Sequence, residues 1–180
     1  QEITLPTKPI QHIDDPNGEI ALCILSAINI GKIKTNDELE VLCDLSIRSL
    51  DELIDYQNYP VKAAEICTKA RRSLGVGYIG LAHYLAKNGE NYGDPGAWKL
   101  VHDLSEAFQY YLIRATVNLA KEKGACEYSH RTKYGQGILP IDTYKRDVDE
   151  IVPNNLKYDW DSLREQVKQY GVRNSTLSAQ

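Results

Sequence analysis

Residues 18–31 read GEIALCILSAINIG, and the way this run folds decides the class of the whole chain. From Ile20 to Ile30 it is apolar apart from Ser26 and Asn29. A membrane span needs about 20 such residues, so the run is far too short to be one. Over so few positions the period does not separate a buried strand from the start of a buried helix. Its neighbours decide. Apolar extended stretches alternate along the chain with amphipathic helices, which favours an α/β arrangement over a helical bundle. The run also carries Cys23. On pattern alone that residue is a small buried hydrophobe, since free cysteine is among the most buried residue types.

Working outward, Ile3 to Pro9 is extended and stopped by prolines, and His12 to Gly18 is a polar turn. Thr35-Asn36-Asp37-Glu38 is a capping box. Its hydroxyl accepts from the N3 amide while the glutamate reaches back to the cap amide. The following helix should place Leu39, Leu42, Leu45, Leu50 and Leu53 mostly on one face. Pro60 suits the first turn of a second helix running to about Arg72. Tyr78 to Asn88 is predicted as a third, ended by Gly89. Asp94-Pro95 opens the longest, with Trp98, Val101, Leu104, Phe108, Tyr111, Leu112, Ala115 and Leu119 at helical spacing and Gly124 at its end. Tyr134 to Pro140 is a Gly-rich loop. Helices are expected at 142–151 and 160–170, and an extended strand from Val172 to Ala179. The total is six helices and about three strands, with no internal repeat and no linker.

The 180 residues suffice for one domain with a real core. The net charge is -4, with no basic block. That argues against a nucleic-acid partner, whose phosphates select clustered Lys and Arg, and no stretch implies a membrane. Four cysteines, Cys23, Cys43, Cys67 and Cys126, are widely spaced without a CxxC pair, so zinc knuckles and small disulfide scaffolds are disfavoured. Reduced thiols and a cytoplasmic location are the default. The chain begins at Gln1 and contains no methionine, so both ends are expected to be internal to a longer polypeptide.

Gly75-Val76-Gly77-Tyr78-Ile79-Gly80 satisfies the GxGxxG pattern of dinucleotide sites. The chemistry needs a strand before the glycines and a helix N-terminus facing the pyrophosphate. Here a basic helix end, Thr68 to Ser73, precedes them. The expectation is a tight helix-to-helix connection with no cofactor. Cys43, Cys67 and Cys126 are read as structural. Glu2 is, by physics alone, a solvated charge near a terminus.

Five stretches together carry a resemblance: EITLPTKPI (2–10), NGEIALCILSAINIG (17–31), YYLIRATVNLAKEKGAC (110–126), GILPIDTYKRDVD (137–149) and YDWDSLREQVKQYGVRNSTLSA (158–179). The chain resembles the large, catalytic subunit of aerobic class I ribonucleotide reductase of the bacterial and bacteriophage type. The resemblance runs the length of the sequence and covers a minority of the family's chain. It implies an α/β fold, namely part of a ten-stranded barrel with a finger loop through its middle, of which residues 1–180 would be a helix-rich piece. That piece would begin within the finger-loop motif and end before the substrate-phosphate loop.

The family's reaction is radical reduction of ribonucleoside diphosphates to deoxyribonucleoside diphosphates. The resemblance implies a small metal-radical subunit, a homodimer of large subunits, a thioredoxin or glutaredoxin reductant and ATP or dNTP effectors, with no cofactor held by residues 1–180 themselves. Two residues carry over. Glu2 matches the glutamate two places after the radical cysteine in Asn-Leu-Cys-x-Glu, and would accept the proton of the substrate 3′-hydroxyl. Cys23 matches the later member of the redox-active cysteine pair. Its partner, like the radical cysteine, would lie outside this chain. The alternative from another class is a non-catalytic helical binding or assembly domain of shared ancestry.

Overall fold

A computed structural model describes residues 7–153 and 155–175. Two strands, β1 (Ile24–Asn29) and β2 (Leu74–Ile79), form a parallel pair, with Ile24 opposite Leu74 and Asn29 opposite Ile79. Seven α-helices accompany them among the described residues: α1 (Asn36–Tyr56), α2 (Lys62–Arg71), α3 (Leu81–Lys87), α4 (Pro95–Lys123), α5 (Pro140–Thr143), α6 (Val148–Ile151) and α7 (Trp160–Tyr170). A parallel pair needs a crossover, and α1 and α2 supply it. The expected α/β class is met as a helix-rich chain around a small parallel sheet.

The two long helices form where their caps and stripes direct. Thr35 caps α1, its Oγ1 accepting from the Glu38 amide at 3.2 Å. Glu38 reaches back one residue further than a capping box requires and accepts from the Lys34 amide at 2.7 Å. The buried stripe of α1 is Leu39, Cys43, Ile47, Leu50 and Ile54. The expected leucine stripe is thus split. Leu42, Leu45 and Leu53 are exposed, because at 100° per residue they fall on the flank of the 39–43–47–50–54 line. In α4 the predicted stripe is buried from Leu104 through Phe108, Tyr111, Leu112, Ala115 and Leu119, and it packs on α1 and the sheet. Gly124 ends it with φ +86°.

Elsewhere the sequence expectations shift. Residues 74–79 are a strand, not a connection between helices, so the third helix starts at Leu81 rather than Tyr78. Val76 and Tyr78 alternate with Gly75 and Gly77, which is strand periodicity that the glycines disguise. Gly80 follows with φ +82°, and a Cβ there would lie 2.6 Å from the Asn29 side-chain oxygen. The second helix begins at Lys62, after Pro60 rather than on it. The single helix expected at 142–151 is two short ones, α5 and α6, separated at Tyr144–Asp147. Residues 172–175 form no strand, with bends at 173 and 175, where an extended strand was expected, and 176–179 lie outside the described residues.

The sheet has two unlike faces. Ile24 and Ile28 of β1, with Leu74, Val76 and Tyr78 of β2, face the core made with α1 and α4. On the opposite parity Leu25 is 56% exposed and Ile79 54%. The run at 18–31 is therefore half-buried, where a fully buried segment was expected.

Candidate functional site around Cys23

Cys23 is the last residue before β1, half-buried, with its thiol 4.0 Å from the Ile24 carbonyl oxygen. Counted back from β1 its parity is that of Leu25, Ala27 and Asn29, the face the helices leave open, although Leu22, of the other parity, is 40% exposed. Cys43, Cys67 and Cys126 are buried, as the sequence suggested. Burial pushes the Cys43 thiol up to about 12 and the Cys126 thiol to about 11, and raises that of Cys67. Those three stay protonated and enclosed. Cys23 is the one cysteine of the four that is not buried. Glu2, the other expected site residue, lies outside the described residues.

The surroundings of Cys23 are built by the end of α2. The Ile24 amide donates to the Ser73 carbonyl at 3.4 Å, so Ser73 stands beside Cys23. Ser73 Oγ meets Ser175 Oγ at 3.0 Å, and the Ser175 amide donates to the Arg71 carbonyl at 3.2 Å. Cys23, Ser73 and Ser175 thus follow one another across the entry of the two strands.

Two adjacent arginines stand behind this row, both 5% exposed. Arg71 Nη2 donates to Glu19 Oε2 at 3.2 Å, and the Tyr128 hydroxyl donates to Glu19 Oε1 at 3.4 Å. Arg72 turns the other way. Its Nε donates to Asp51 Oδ1 at 2.6 Å, and Nη1 and Nη2 reach the Asp55 carboxylate at 3.0 and 2.8 Å. Asp51 has no exposed surface and also accepts from Asn174 Nδ2 at 2.9 Å and Arg173 Nε at 3.2 Å. The Arg72 guanidinium holds the Asp55 carboxyl below its ordinary range. Arg72 itself sits at φ +48°, a left-handed cap adopted by a bulky side chain.

Sequence reasoning passed over Glu19, Asp51, Arg71, Arg72 and Asn174. One signal was present. Two consecutive arginines between an apolar helix and a strand must both be at least partly enclosed, and enclosed arginines need carboxylates. Nothing local shows that the carboxylates come from 52 and 21 residues upstream.

The GxGxxG stretch offers no phosphate cradle. Its first two glycines lie within β2, and α3 is only seven residues long. A groove of about 600 Å³ lies between α3, the first half of α4 and residues 140–156. It is lined by apolar side chains such as Trp98, Val101 and Ile151, and by no residue of the Cys23 surroundings. Among the described residues no cluster of His, Cys, Asp and Glu has the makings of a metal site. No helix there is long and apolar enough to cross a membrane.

The family model described as ribonucleotide reductase, barrel domain, matches residues 1–180. The chain belongs to the ribonucleotide reductase barrel-domain family. It is 61% identical over 178 residues to the ribonucleoside-diphosphate reductase subunit alpha of Haemophilus influenzae, covering 99% of this chain and 24% of that protein. The subunit alpha of Enterobacteria phage T4 is 44% identical over 180 residues, covering 99% of this chain and 23% of its own. That of Helicobacter pylori is 32% identical over 166 residues, covering 91% and 21%. The chain therefore spans about a quarter of the length of the curated relatives it matches.

Proposed function

We propose that residues 1–180 belong to the catalytic subunit of a class I ribonucleoside-diphosphate reductase, and that Cys23 is one half of its reducing dithiol. The observation that carries this reading is the placement of Cys23. It is the one cysteine of the four that is not buried, at the entry of a parallel strand and with the parity of the face that the helices leave open.

The chemistry balances as follows. Reduction at the ribose breaks the C2′–O bond, the oxygen leaves as water, and C2′ gains a hydrogen. Two thiols supply the two protons and two electrons and are left as a disulfide. Cys23 gives one thiol, and a cysteine outside these residues gives the other. Exchange with the thiols of a thioredoxin or glutaredoxin restores the pair. Glu2 accepts the proton of the substrate 3′-hydroxyl, which requires an ionised carboxylate within hydrogen-bond reach.

In the same reading the sheet forms part of a ten-stranded barrel. Residues 1–180 make one piece of that single catalytic domain, running from the finger-loop motif to just before the substrate-phosphate loop. Among the described residues β1 pairs on one edge only, and a hollow of about 730 Å³ runs beside its other edge, past Ala27, Asn29, Val41 and Leu42. A further strand and helix would fill it. The partners in this reading are a ribonucleoside diphosphate, the radical-generating small subunit and a second large subunit, with ATP or dNTP effectors acting elsewhere, in the cytoplasm.

The test is Cys23→Ser in a full-length large subunit carrying this sequence. Turnover driven by a protein dithiol should fall at least a thousandfold with the thermal midpoint unchanged. Sustained multiple turnover would remove the role given to Cys23.

A further inference from the structure

Glu19 and Arg71 are a buried ion pair that the proposed reaction does not use. A buried pair is weak evidence for stability, because apolar residues of similar volume often serve as well. Its effect is better sought in geometry. Four segments meet at the Glu19 carboxylate: its own strand approach, the last turn of α2 through Arg71, the 128–131 turn through Tyr128, and the stretch around Lys8. The Arg71 guanidinium also lies over the Tyr128 ring at 5.3 Å. Lys8 reaches the same carboxylate at 3.9 Å, and the Glu19 amide donates to the Lys8 carbonyl at 3.0 Å. One residue on, the Ile20 amide donates to the Ala63 carbonyl at 3.1 Å. Four residues further, the Ile24 amide joins Ser73 at the start of the ladder.

Cys23 therefore sits on a short span anchored at both ends, at Glu19 and Ile20 and again at Ile24. The side-chain period of a strand is two, so a slip of one residue would carry every side chain to the other face. For Leu25 or Ala27 that costs packing. For Cys23 it would turn the sulfur from the open face towards α1 and α4. β1 pairs with one neighbour among the described residues and has an incomplete hydrophobic alternation, with Ser26 on its helix side and Leu25 outside. Its register is not strongly set by burial alone. Glu19 lies upstream of the ladder and is tied to the helix that leads into β2, so it sets the axial position of the strand before pairing starts.

We propose that Glu19 and Arg71 are positioning residues that fix the register in which Cys23 enters β1 and so hold its thiol on the open face for disulfide exchange. This rests on the redox role proposed for Cys23. Both side chains are buried. Both act by keeping the thiol near its partner cysteine, which favours the disulfide through effective concentration.

The experiment uses the full-length large subunit with Glu19→Gln, Arg71→Lys, and Glu106→Gln as control. Glu106 is a buried carboxylate accepting from the Lys157 and Tyr158 amides and from Trp160 Nε1, and its partners lie in the 157–160 segment rather than in the strand approach. Three quantities are read: the thermal midpoint, the equilibrium of the Cys23 disulfide with a thioredoxin couple, and kcat and KM with a dithiol reductant. In Glu19→Gln the disulfide equilibrium should shift about tenfold towards the dithiol, about 30 mV. Its kcat should fall by a similar factor while KM stays within twofold. Arg71→Lys, which keeps the ion pair, should fall between it and the parent. Glu106→Gln should lower the thermal midpoint and leave potential and kcat alone. A Glu19→Gln protein with a lowered midpoint but unmoved potential and kcat would overturn the positioning role while leaving the redox role intact. Sustained multiple turnover by Cys23→Ser would instead remove the reading on which the inference stands.

Discussion

Four cysteines of one chemical type take two environments in this chain, and the difference is one of burial and strand parity. Cys43 and Cys126 are enclosed, with thiols pushed up to about 12 and about 11. A thiol reacts as thiolate, so at pH 8 these two are almost wholly protonated as well as shielded. Alkylation of the native 180-residue protein at that pH should modify Cys23 first, with Cys43, Cys67 and Cys126 reacting only on the timescale of unfolding. Equal labelling of Cys23 and Cys43 would contradict the placement. The sequence showed that Cys23 stands in an apolar run, and there it looked like the other three. What separates it is which face of β1 the helices cover, and that depends on α1 and α4, which begin 13 and 72 residues after it. The carboxylate partners of Arg71 and Arg72 were hidden for the same reason, because a charge pair is local in space and distant in sequence.

At the scale of the elements, helices with a continuous apolar stripe were legible and the short pieces were not. α4 was readable because its stripe stays buried from Leu104 to Leu119, about four turns, so local pattern and tertiary packing agree. The strand β2 was not, because glycines at 75 and 77 remove the side chains that would have displayed its alternation. α1 lies between these cases. Its helix and its Thr35 cap were foreseen, but Leu42, Leu45 and Leu53 were assigned to a core that does not include them. That distinction has a measurable consequence. Leu112 on α4 is fully buried, and Leu112→Ala should lower the unfolding free energy by about 2–5 kcal/mol in a urea titration. Leu45 is 53% exposed, and Leu45→Ala should stay within about 0.5 kcal/mol of the parent. A large loss at Leu45 in the isolated chain would mean that the stripe is packed as the leucine pattern alone suggests.

For the whole molecule, the sheet is two-faced, and among the described residues β1 pairs along one edge. The helices cover one side of the sheet, and the other presents Leu25, Ile79 and the approach to Cys23. The family assignment was legible from ordered stretches spread over nearly the whole chain, and the barrel-domain match over residues 1–180 agrees with it. What those stretches could not display was the support behind the site, the paired arginines and their three carboxylates, because none of these residues has a distinctive local motif. The central claim is that Cys23 cycles between thiol and disulfide with a cysteine outside these residues. It is tested most directly by mass-spectrometric disulfide mapping of the full-length subunit after a single turnover without added reductant. The account predicts Cys23 in a disulfide with a cysteine beyond residues 1–180, with Cys43, Cys67 and Cys126 recovered as thiols. Recovery of Cys23 as a free thiol after product has formed would contradict it.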